Sequence, residues 1–312
     1  MIPVVLFFLL AGRPVAGGGS LSARATPPGL ASSPKQQLFT FRKAAVVGAA
    51  SLSTFTAAGV LTGHDHIIRS DRPKNTYRLS KAVWALVRLS NPATCLWLAF
   101  SNQLCSPRRK LLLAMATVSG LRHAFWGLKL CRKPWPLLPL SLPVACLNNI
   151  FDWLHCRSAV EREEAAGEEQ LGLVAYIGVI SFVVGSYLET ASEWQRHNFI
   201  QQKKNLKAKE ESEGTGEVKD STSTSTSNSG GKLCTTGLWA KAAHINYLGY
   251  VLWRLGIGLV SAPPYTAAFG VVHLVDFQLR AVPMLRRHLQ CRYGQEWTDY
   301  AKRTSVLIPG VI

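Results

Sequence analysis

Acidic residues are scarce in this chain. Its 312 residues include 18 Asp and Glu against 35 Lys and Arg, and residues 1–64 contain no acidic residue at all. Charged residues make up 17% of the sequence, below the roughly 25% of a soluble domain, whereas hydrophobic residues reach 47%. This balance excludes an ordinary soluble domain and a chain disordered throughout. It points to a membrane protein, and the recurring apolar segments of about 20 residues predict an all-α fold, a polytopic membrane helix bundle with six to seven transmembrane helices.

Metal-ligating patterns are also missing. The seven cysteines are odd in number and have no CxxC spacing, so we expect neither a disulfide scaffold nor a zinc site. Residues 64–66 (His-Asp-His) have no third ligand nearby, and we predict no metal. The basic residues stand in short clusters between apolar runs, such as residues 108–110, as in loops of membrane proteins. The lipid bilayer is therefore the expected partner, and nucleic acid is not.

Composition divides the chain into four parts. Residues 1–42 contain a short apolar run and then a stretch rich in Ser, Ala, Pro and Arg, which is typical of a targeting presequence. Such a signal or transit segment favours a plastid or the endoplasmic reticulum, and an ordinary secretory signal or a disordered tail is the alternative. Residues 43–200 are predicted to be N-terminal membrane helices. Residues 201–232 predict a disordered low-complexity loop because they have almost no apolar side chains, and residues 233–312 form a C-terminal membrane domain.

Four landmarks stand in the C-terminal part of the sequence. They are Leu188-Glu-Thr-Ala-Ser-Glu-Trp-Gln195, Thr236-Gly-Leu-Trp239, His244-Ile-Asn-Tyr-Leu-Gly249, and Tyr293-Gly-Gln-Glu-Trp-Thr-Asp-Tyr300 followed by Ala-Lys-Arg-Thr-Ser305. In order and spacing this series resembles the C-terminal domain of the steroid 5-alpha-reductase superfamily, in its uncharacterised reductase-like branch. The resemblance implies an integral membrane oxidoreductase. It would use NADPH to reduce a C=C bond of a lipophilic steroid, enoyl or prenyl-lipid substrate.

Two alternatives follow from the same resemblance. Isoprenylcysteine carboxyl methyltransferases share the fold, so the chain is alternatively an S-adenosylmethionine-dependent methyltransferase of a lipid or prenylcysteine. The family's Arg-His-Pro-Asn-Tyr-x-Gly-Glu reads Ala243-His-Ile-Asn-Tyr-Leu-Gly-Tyr250 here, without the arginine, the proline and the glutamate. Either Lys241 or Arg254 substitutes for the arginine, or cofactor affinity has changed, or catalysis is lost. In the last case the chain is a non-catalytic member that keeps the fold as a scaffold.

Polar residues from three distant segments are expected to meet on one rim of the bundle. The last two membrane helices are joined by a short Pro263-Pro264 turn, so they should form an antiparallel hairpin. A nucleotide cofactor needs polar groups at the aqueous edge and an apolar interior for its reactive part. The resemblance implies that these residues bind the cofactor: Glu193, Gln195, Trp239, His244, Asn246, Tyr247, Tyr300, Arg303 and Thr304. No catalytic residue is assigned, because the family's proton donor lies in the N-terminal half.

A charge pair is predicted inside the hairpin. Arg254 and Asp276 lie at similar depth when counted from the Pro-Pro turn, and charges within membrane spans are usually paired or functional. We expect the two side chains to form a buried ion pair. Such a pair either fixes the register of the two helices or belongs to the site.

Overall fold

The computed structural model describes six stretches of the chain. The chain divides into two units, Met1–Phe39 and Thr40–Ile312, and every described residue lies in the second. The predicted presequence (residues 1–42), and the plastid or endoplasmic reticulum location that depends on it, fall outside the described residues, as do residues 64–66 and part of the Pro-Pro turn. The described stretches are residues 76–99, 106–131, 138–166, 170–213, 233–261 and 264–311.

Helices account for nearly all of the described residues. Wider π turns, Cys95–Ala99, Trp126–Leu130 and Phe277–Ala281, continue three of them, and a short 3-10 turn spans Gly237–Ala240. The described residues form no strand beyond one isolated bridge between Ala242 and Ser305, which confirms the all-α prediction. The α-helices are α1 (Thr76–Leu89), α2 (Asn91–Thr94), α3 (Pro107–Phe125), α4 (Leu138–Ala166), α5 (Leu173–Glu213), α6 (Ile245–Ser261), α7 (Pro264–Asp276), α8 (Val282–Tyr293) and α9 (Gln295–Arg303).

Three stretches are long and apolar enough to cross a membrane. They are Pro107–Leu130, Leu173–Leu206 and Thr266–Tyr293. Their outward faces are apolar, and on α5 the exposed residues include Leu173, Ile180 and Val183. The predicted membrane bundle is therefore confirmed as a fold class. The count of six to seven membrane helices stays a prediction, because α6 has only 17 residues and much of the N-terminal half lies outside the described stretches.

Glycines allow α5 and α6 to pack with their backbones in contact. A Cβ at Gly185 would collide with the backbone nitrogen of Trp253, and a Cβ at Gly256 would collide with the carbonyl oxygen of Gly178. Small residues at such a seam are the usual means of close packing between membrane helices. The contacts run antiparallel, so the middle of α5, near Glu189 and Glu193, lies beside the beginning of α6.

The predicted hairpin between α6 and α7 is present. A Cβ at Gly258 would meet the backbone of Thr266, whereas a Cβ at Gly270 would meet Leu255. Residues later in α7 therefore contact residues earlier in α6. The hairpin is antiparallel, as the short Pro-Pro connection requires.

The ion pair predicted between Arg254 and Asp276 is wrong. Arg254 Nη1 instead donates to Asp152 Oδ1 of α4 at 3.0 Å, and Asp276 accepts from Arg280 one helical turn further on at 2.6 Å. A third helix therefore supplies the partner of Arg254, and local i,i+4 geometry supplies that of Asp276. Asp152 also accepts from Arg88 Nη2 of α1 at 3.1 Å, so one buried carboxylate joins two buried guanidinium groups.

The long helix α5 extends beyond its predicted end. It continues to Glu213, so residues 201–213 are helical although we predicted that residues 201–232 form a disordered loop. Gln, Lys, Ala and Glu are good helix formers, and extending a packed helix avoids the cost of nucleating a new one. Residues 214–232 lie outside the described stretches. The four-part division of the chain stays a prediction.

Candidate functional site

The C-terminal tail folds back onto the beginning of α6. The backbone N–H of Ala243 donates to Ser305 O at 2.8 Å, and that of His244 donates to Val306 O at 3.0 Å. Leu307, the residue after Val306 in the tail, is buried. The start of α6, the tail and the middle of α5 (residues 189–195) therefore meet in one region, which we call the rim.

Three of the predicted site residues hold the rim together. Gln195 Oε1 accepts from the backbone N–H of Leu238 at 2.9 Å, beside Gly237, whose φ of +65° favours glycine. Trp239 Nε1 donates to Ser192 O at 2.9 Å. The Tyr300 hydroxyl donates to Trp239 O at 2.5 Å, and burial raises the pKa of Tyr300 well above its ordinary value, so that the hydroxyl keeps its proton. Their polar groups are thus used within the protein.

Glu193 and Asn246 form a polar pair across the seam between α5 and α6. Asn246 Nδ2 donates to Glu193 Oε1 at 3.1 Å, and Arg196 Nη2 donates to Glu193 Oε2 at 2.5 Å. The Glu193 side chain is buried while that of Arg196 is 45% exposed. A carboxylate and an amide are therefore fixed side by side at the edge of an apolar bundle.

Three rings form an aromatic ladder next to this pair. The rings of His244 and Tyr247 are nearly parallel with centroids 5.7 Å apart, and Tyr247 stacks on Phe277 at 4.5 Å. His244 is buried, and among the described residues its Nε2 has no hydrogen-bond partner. Burial and, second, the nearby Arg286 lower the pKa of His244 to about 4. The imidazole is therefore neutral near pH 7.

The last two predicted site residues differ in exposure. Arg303 is exposed on the final turn of α9, whereas Thr304 is buried where the tail begins. The structure therefore gathers residues from α5, the 3-10 turn, the start of α6 and the tail. That any of them binds a cofactor stays a prediction.

A basic cleft beside the rim was missed by the sequence analysis. It has a volume of about 500 Å³ and lies between α8 and α9, where Arg286, Arg287 and Lys302 surround Trp297. Two adjacent arginines, Arg286 and Arg287, were the feature of the sequence that could have indicated this cleft. Their meeting with Lys302 depends on the turn at Gly294, where φ is +53° and α9 begins.

Helices of membrane-crossing length, together with a polar and aromatic rim, indicate a membrane-embedded protein with a candidate cofactor site. The chain belongs to the family described as "Protein of unknown function (DUF1295)", whose model matches residues 141–304. That match includes the rim from Glu193 to Thr304. The finer assignment to the reductase-like branch of the steroid 5-alpha-reductase superfamily stays a prediction.

Two curated relatives carry methyltransferase names. The chain is 28% identical over 195 residues to "Probable O-methyltransferase ustE" of Ustilaginoidea virens, covering 60% of each protein. It is 26% identical over 80 residues to "Protein-S-isoprenylcysteine O-methyltransferase B" of Arabidopsis thaliana, covering 26% of this chain and 41% of that protein. The chain thus spans less than two thirds of the length of either relative.

A solved structure was also found. It is described as the eukaryotic intramembrane Ras methyltransferase ICMT (isoprenylcysteine carboxyl methyltransferase) without a monobody. The TM-score is 0.46 and the sequence identity 15%, with 85% of this chain and 98% of that chain covered.

Proposed function

We propose that the protein is an S-adenosylmethionine-dependent O-methyltransferase acting on a lipophilic acceptor in the membrane. The two curated relatives are both named as O-methyltransferases, which favours the methyltransferase alternative over the NADPH-dependent reductase expected from the sequence. The observation that carries the proposal is the Glu193–Asn246 pair beside the aromatic ladder. Polar and aromatic groups side by side are suited to binding a small cationic nucleoside.

The rim residues fit this cofactor in three respects. Aromatic rings lie next to the Glu193–Asn246 pair, and aromatic rings attract a positively charged sulfonium. The Glu193–Asn246 pair offers acceptors and a donor for ribose hydroxyls or an ammonium group. Buried polar atoms are normally hydrogen-bonded, so the unpartnered Nε2 of His244 is suited to a ligand atom.

The same rim is less suited to NADPH. Glu193 places a buried carboxylate at the rim, and its negative charge would repel a pyrophosphate at short range. Ala243, which stands where the resembling reductases have arginine, is buried against Trp297 and Tyr300. Arg254 cannot substitute for that arginine, because its guanidinium is fully buried and bonded to Asp152.

S-adenosylmethionine, when bound, supplies an electrophilic methyl group on a positively charged sulfur. The protein binds and orients the cofactor and the acceptor, and it excludes water from them. Glu193 and Asn246 are fixed by the α5–α6 seam, so they are preorganised before any ligand arrives. The apolar exposed face of α5 allows a lipophilic acceptor to approach from the bilayer side, which keeps the reacting oxygen out of bulk water.

Cofactor binding by rim variants tests the proposal. In the full chain purified in detergent, Glu193→Gln and Asn246→Ala should each weaken S-adenosylmethionine binding by about tenfold or more, because each removes a polar contact at a buried position. Arg157→Gln is the matched control, since Arg157 forms a half-exposed surface pair with Glu161. Equal binding by all three variants would contradict the proposed site.

A further inference from the structure

The basic cleft between α8 and α9 carries positive charge that its own lining does not neutralise. As the structure describes it, the lining includes Arg286, Arg287 and Lys302 and no acidic residue. All three residues are exposed, and within the described part of the chain none of them forms a salt bridge. A concave surface lined by charge of one sign concentrates ligands of the opposite sign. The cleft is therefore suited to an anion.

The two acidic residues of α9 have other partners. Glu296 Oε1 accepts from the backbone N–H of Leu233 at 2.7 Å, and Asp299 Oδ1 accepts from Gln295 Nε2 at 2.7 Å. Residues 286–303 contain five Lys and Arg against these two carboxylates, a net charge of +3. The α8–α9 segment thus has a surplus of positive charge, and three of its five basic residues line the cleft.

Hydrogen bonds across the turn between α8 and α9 fix the shape of the cleft. Gln290 Nε2 donates to Gly294 O at 3.2 Å, and Thr298 Oγ1 donates to Gln290 Oε1 at 3.1 Å. Trp297, between the two walls, is buried. The volume of about 500 Å³ lies in the range of small-molecule sites. The walls are therefore held in place before a ligand binds, which lowers the cost of binding.

The length of the apolar stretch that leads into α8 places the cleft at the membrane surface. Thr266–Tyr293 has 28 residues, whereas about 20 helical residues cross a hydrocarbon core of about 30 Å. Arginines are costly inside the core, so the surplus length lies at the arginine end. Counted from Thr266, Arg286 and Arg287 are then the first residues beyond the core. Val275 and Leu279, which precede them, are exposed apolar residues, as on a surface that faces lipid.

The anions at this depth are lipid headgroups. Anionic headgroups attract Lys and Arg next to a membrane helix. Guanidinium forks bind two phosphate oxygens at once, and an ammonium adds a point charge. Cys291, Trp297 and Ala301 give the same cleft apolar walls, which suit the glycerol and the first acyl carbons. A choline headgroup also has a phosphate, but its trimethylammonium would add a positive charge beside three others.

We propose that this cleft binds the phosphate of an anionic phospholipid of the bilayer, through Arg286, Arg287 and Lys302. The lipid is a bound neighbour of the rim and not the acceptor of the methyl group. Trp297 lines the cleft, and its ring centroid lies 6.3 Å from that of His244 at the rim. A lipid in the cleft would therefore hold the rim at the surface of the membrane. The inference does not depend on which cofactor the rim binds.

Lipid binding by charge variants tests the cleft. The full chain in detergent would be titrated with dioctanoyl-phosphatidic acid and, separately, with dioctanoyl-phosphatidylcholine. The wild type should bind phosphatidic acid about tenfold more tightly or better. Arg287→Gln and Lys302→Gln should each weaken phosphatidic acid binding about fivefold, because each removes a charged donor, and Arg287→Lys should lose less because it keeps the charge.

Arg292→Gln is the matched control for these variants. It removes one positive charge from α8 outside the cleft lining and should change phosphatidic acid affinity by less than about twofold. The residues substituted in all four variants are exposed, so their melting temperatures should stay close to that of the wild type.

Three results would overturn the lipid site. The first is equal affinity of the wild type for the two lipids, and the second is unchanged phosphatidic acid affinity in both Arg287→Gln and Lys302→Gln. A loss in Arg292→Gln as large as in the cleft variants is the third, because general charge attraction would then explain the binding. Inorganic phosphate and NADPH serve as soluble competitors. Displacement of phosphatidic acid by either at lower concentration would also contradict the proposal, since the cleft would then hold a soluble phosphate.

Discussion

Some side chains at the rim use their polar groups in hydrogen bonds that stabilise the fold, and others keep polar atoms available for a ligand. Gln195, Trp239 and Tyr300 bond to backbone groups, whereas Glu193 and His244 keep acceptor capacity. The sequence motifs predicted that these residues would meet. They could not predict how the hydrogen bonds are shared, because that depends on where the 3-10 turn and the tail dock.

The depressed pKa of His244 predicts an acid-sensitive rim. His244 is neutral in the folded chain down to about pH 4, while an unfolded histidine takes up a proton near 6.5. Between pH 4 and pH 6.5 the unfolded state therefore binds more protons than the folded state. The free energy of unfolding keeps its full value above pH 6.5 and falls as the pH drops toward 4. Thermal unfolding of wild type and His244→Gln should show a smaller acid-induced loss in the variant. Equal slopes would contradict the assignment of this pH dependence to His244.

Arg122 and Asp152 show where residue-level reasoning fell short. Arg122 was not assigned a partner, and Asp152 was not considered as a partner for Arg254. Arg122 of α3 pairs with Glu189 of α5, and Asp152 of α4 pairs with Arg254 of α6, so both ion pairs join helices far apart in sequence. A single sequence shows that a charged residue lies in an apolar span, but it does not show which neighbouring helix carries the counter-charge.

Among the elements, the α5–α6 seam positions the candidate site. The hydrophobic pattern predicted both helices, and the short turn predicted the α6–α7 hairpin. The extension of α5 to Glu213 and the π turn at Phe277–Ala281 were not predictable, since helix ends depend on packing as much as on composition. The π turn carries Phe277, one ring of the aromatic ladder.

A methyl group in the seam should separate the two helices. A Cβ at Gly249 would lie 2.8 Å from Gly185 O and still closer to the backbone of Glu189, and neither backbone can move aside freely. Gly249→Ala should therefore destabilise the bundle by about 1–3 kcal/mol, the usual cost of overpacking. Gly172→Ala is the control, because a Cβ there meets nothing within 4 Å. Thermal unfolding in detergent measures both, and equal melting temperatures would contradict the tight seam.

At the scale of the molecule, one buried carboxylate links helices from both halves of the bundle. Asp152 bonds to Arg88 of α1 and Arg254 of α6, and all three side chains are at most 1% exposed. Composition predicted a membrane bundle, and the landmark motifs predicted which end carries the rim. The internal charge network was not predicted, because the N-terminal half could be aligned only by its helices.

Removing the Asp152 carboxylate should lower the free energy of unfolding far more than removing the Asp276 carboxylate. Asp152→Asn leaves two buried arginines without a counter-charge, which should destabilise the fold by about 3–5 kcal/mol. Asp276→Asn affects only the partly exposed Arg280 and should cost about 1 kcal/mol or less. Unfolding of the two variants in detergent gives the comparison. A larger loss for Asp276→Asn would restore the pairing expected from the sequence.

The most direct test of the account is cofactor choice by the wild-type protein. The full chain, purified in detergent, would be titrated with S-adenosylmethionine and with NADPH under the same conditions. The account predicts saturable binding of S-adenosylmethionine and no saturable binding of NADPH. Saturable binding of NADPH alone would contradict it and restore the reductase reading, and binding of neither would indicate a scaffold that has lost its cofactor.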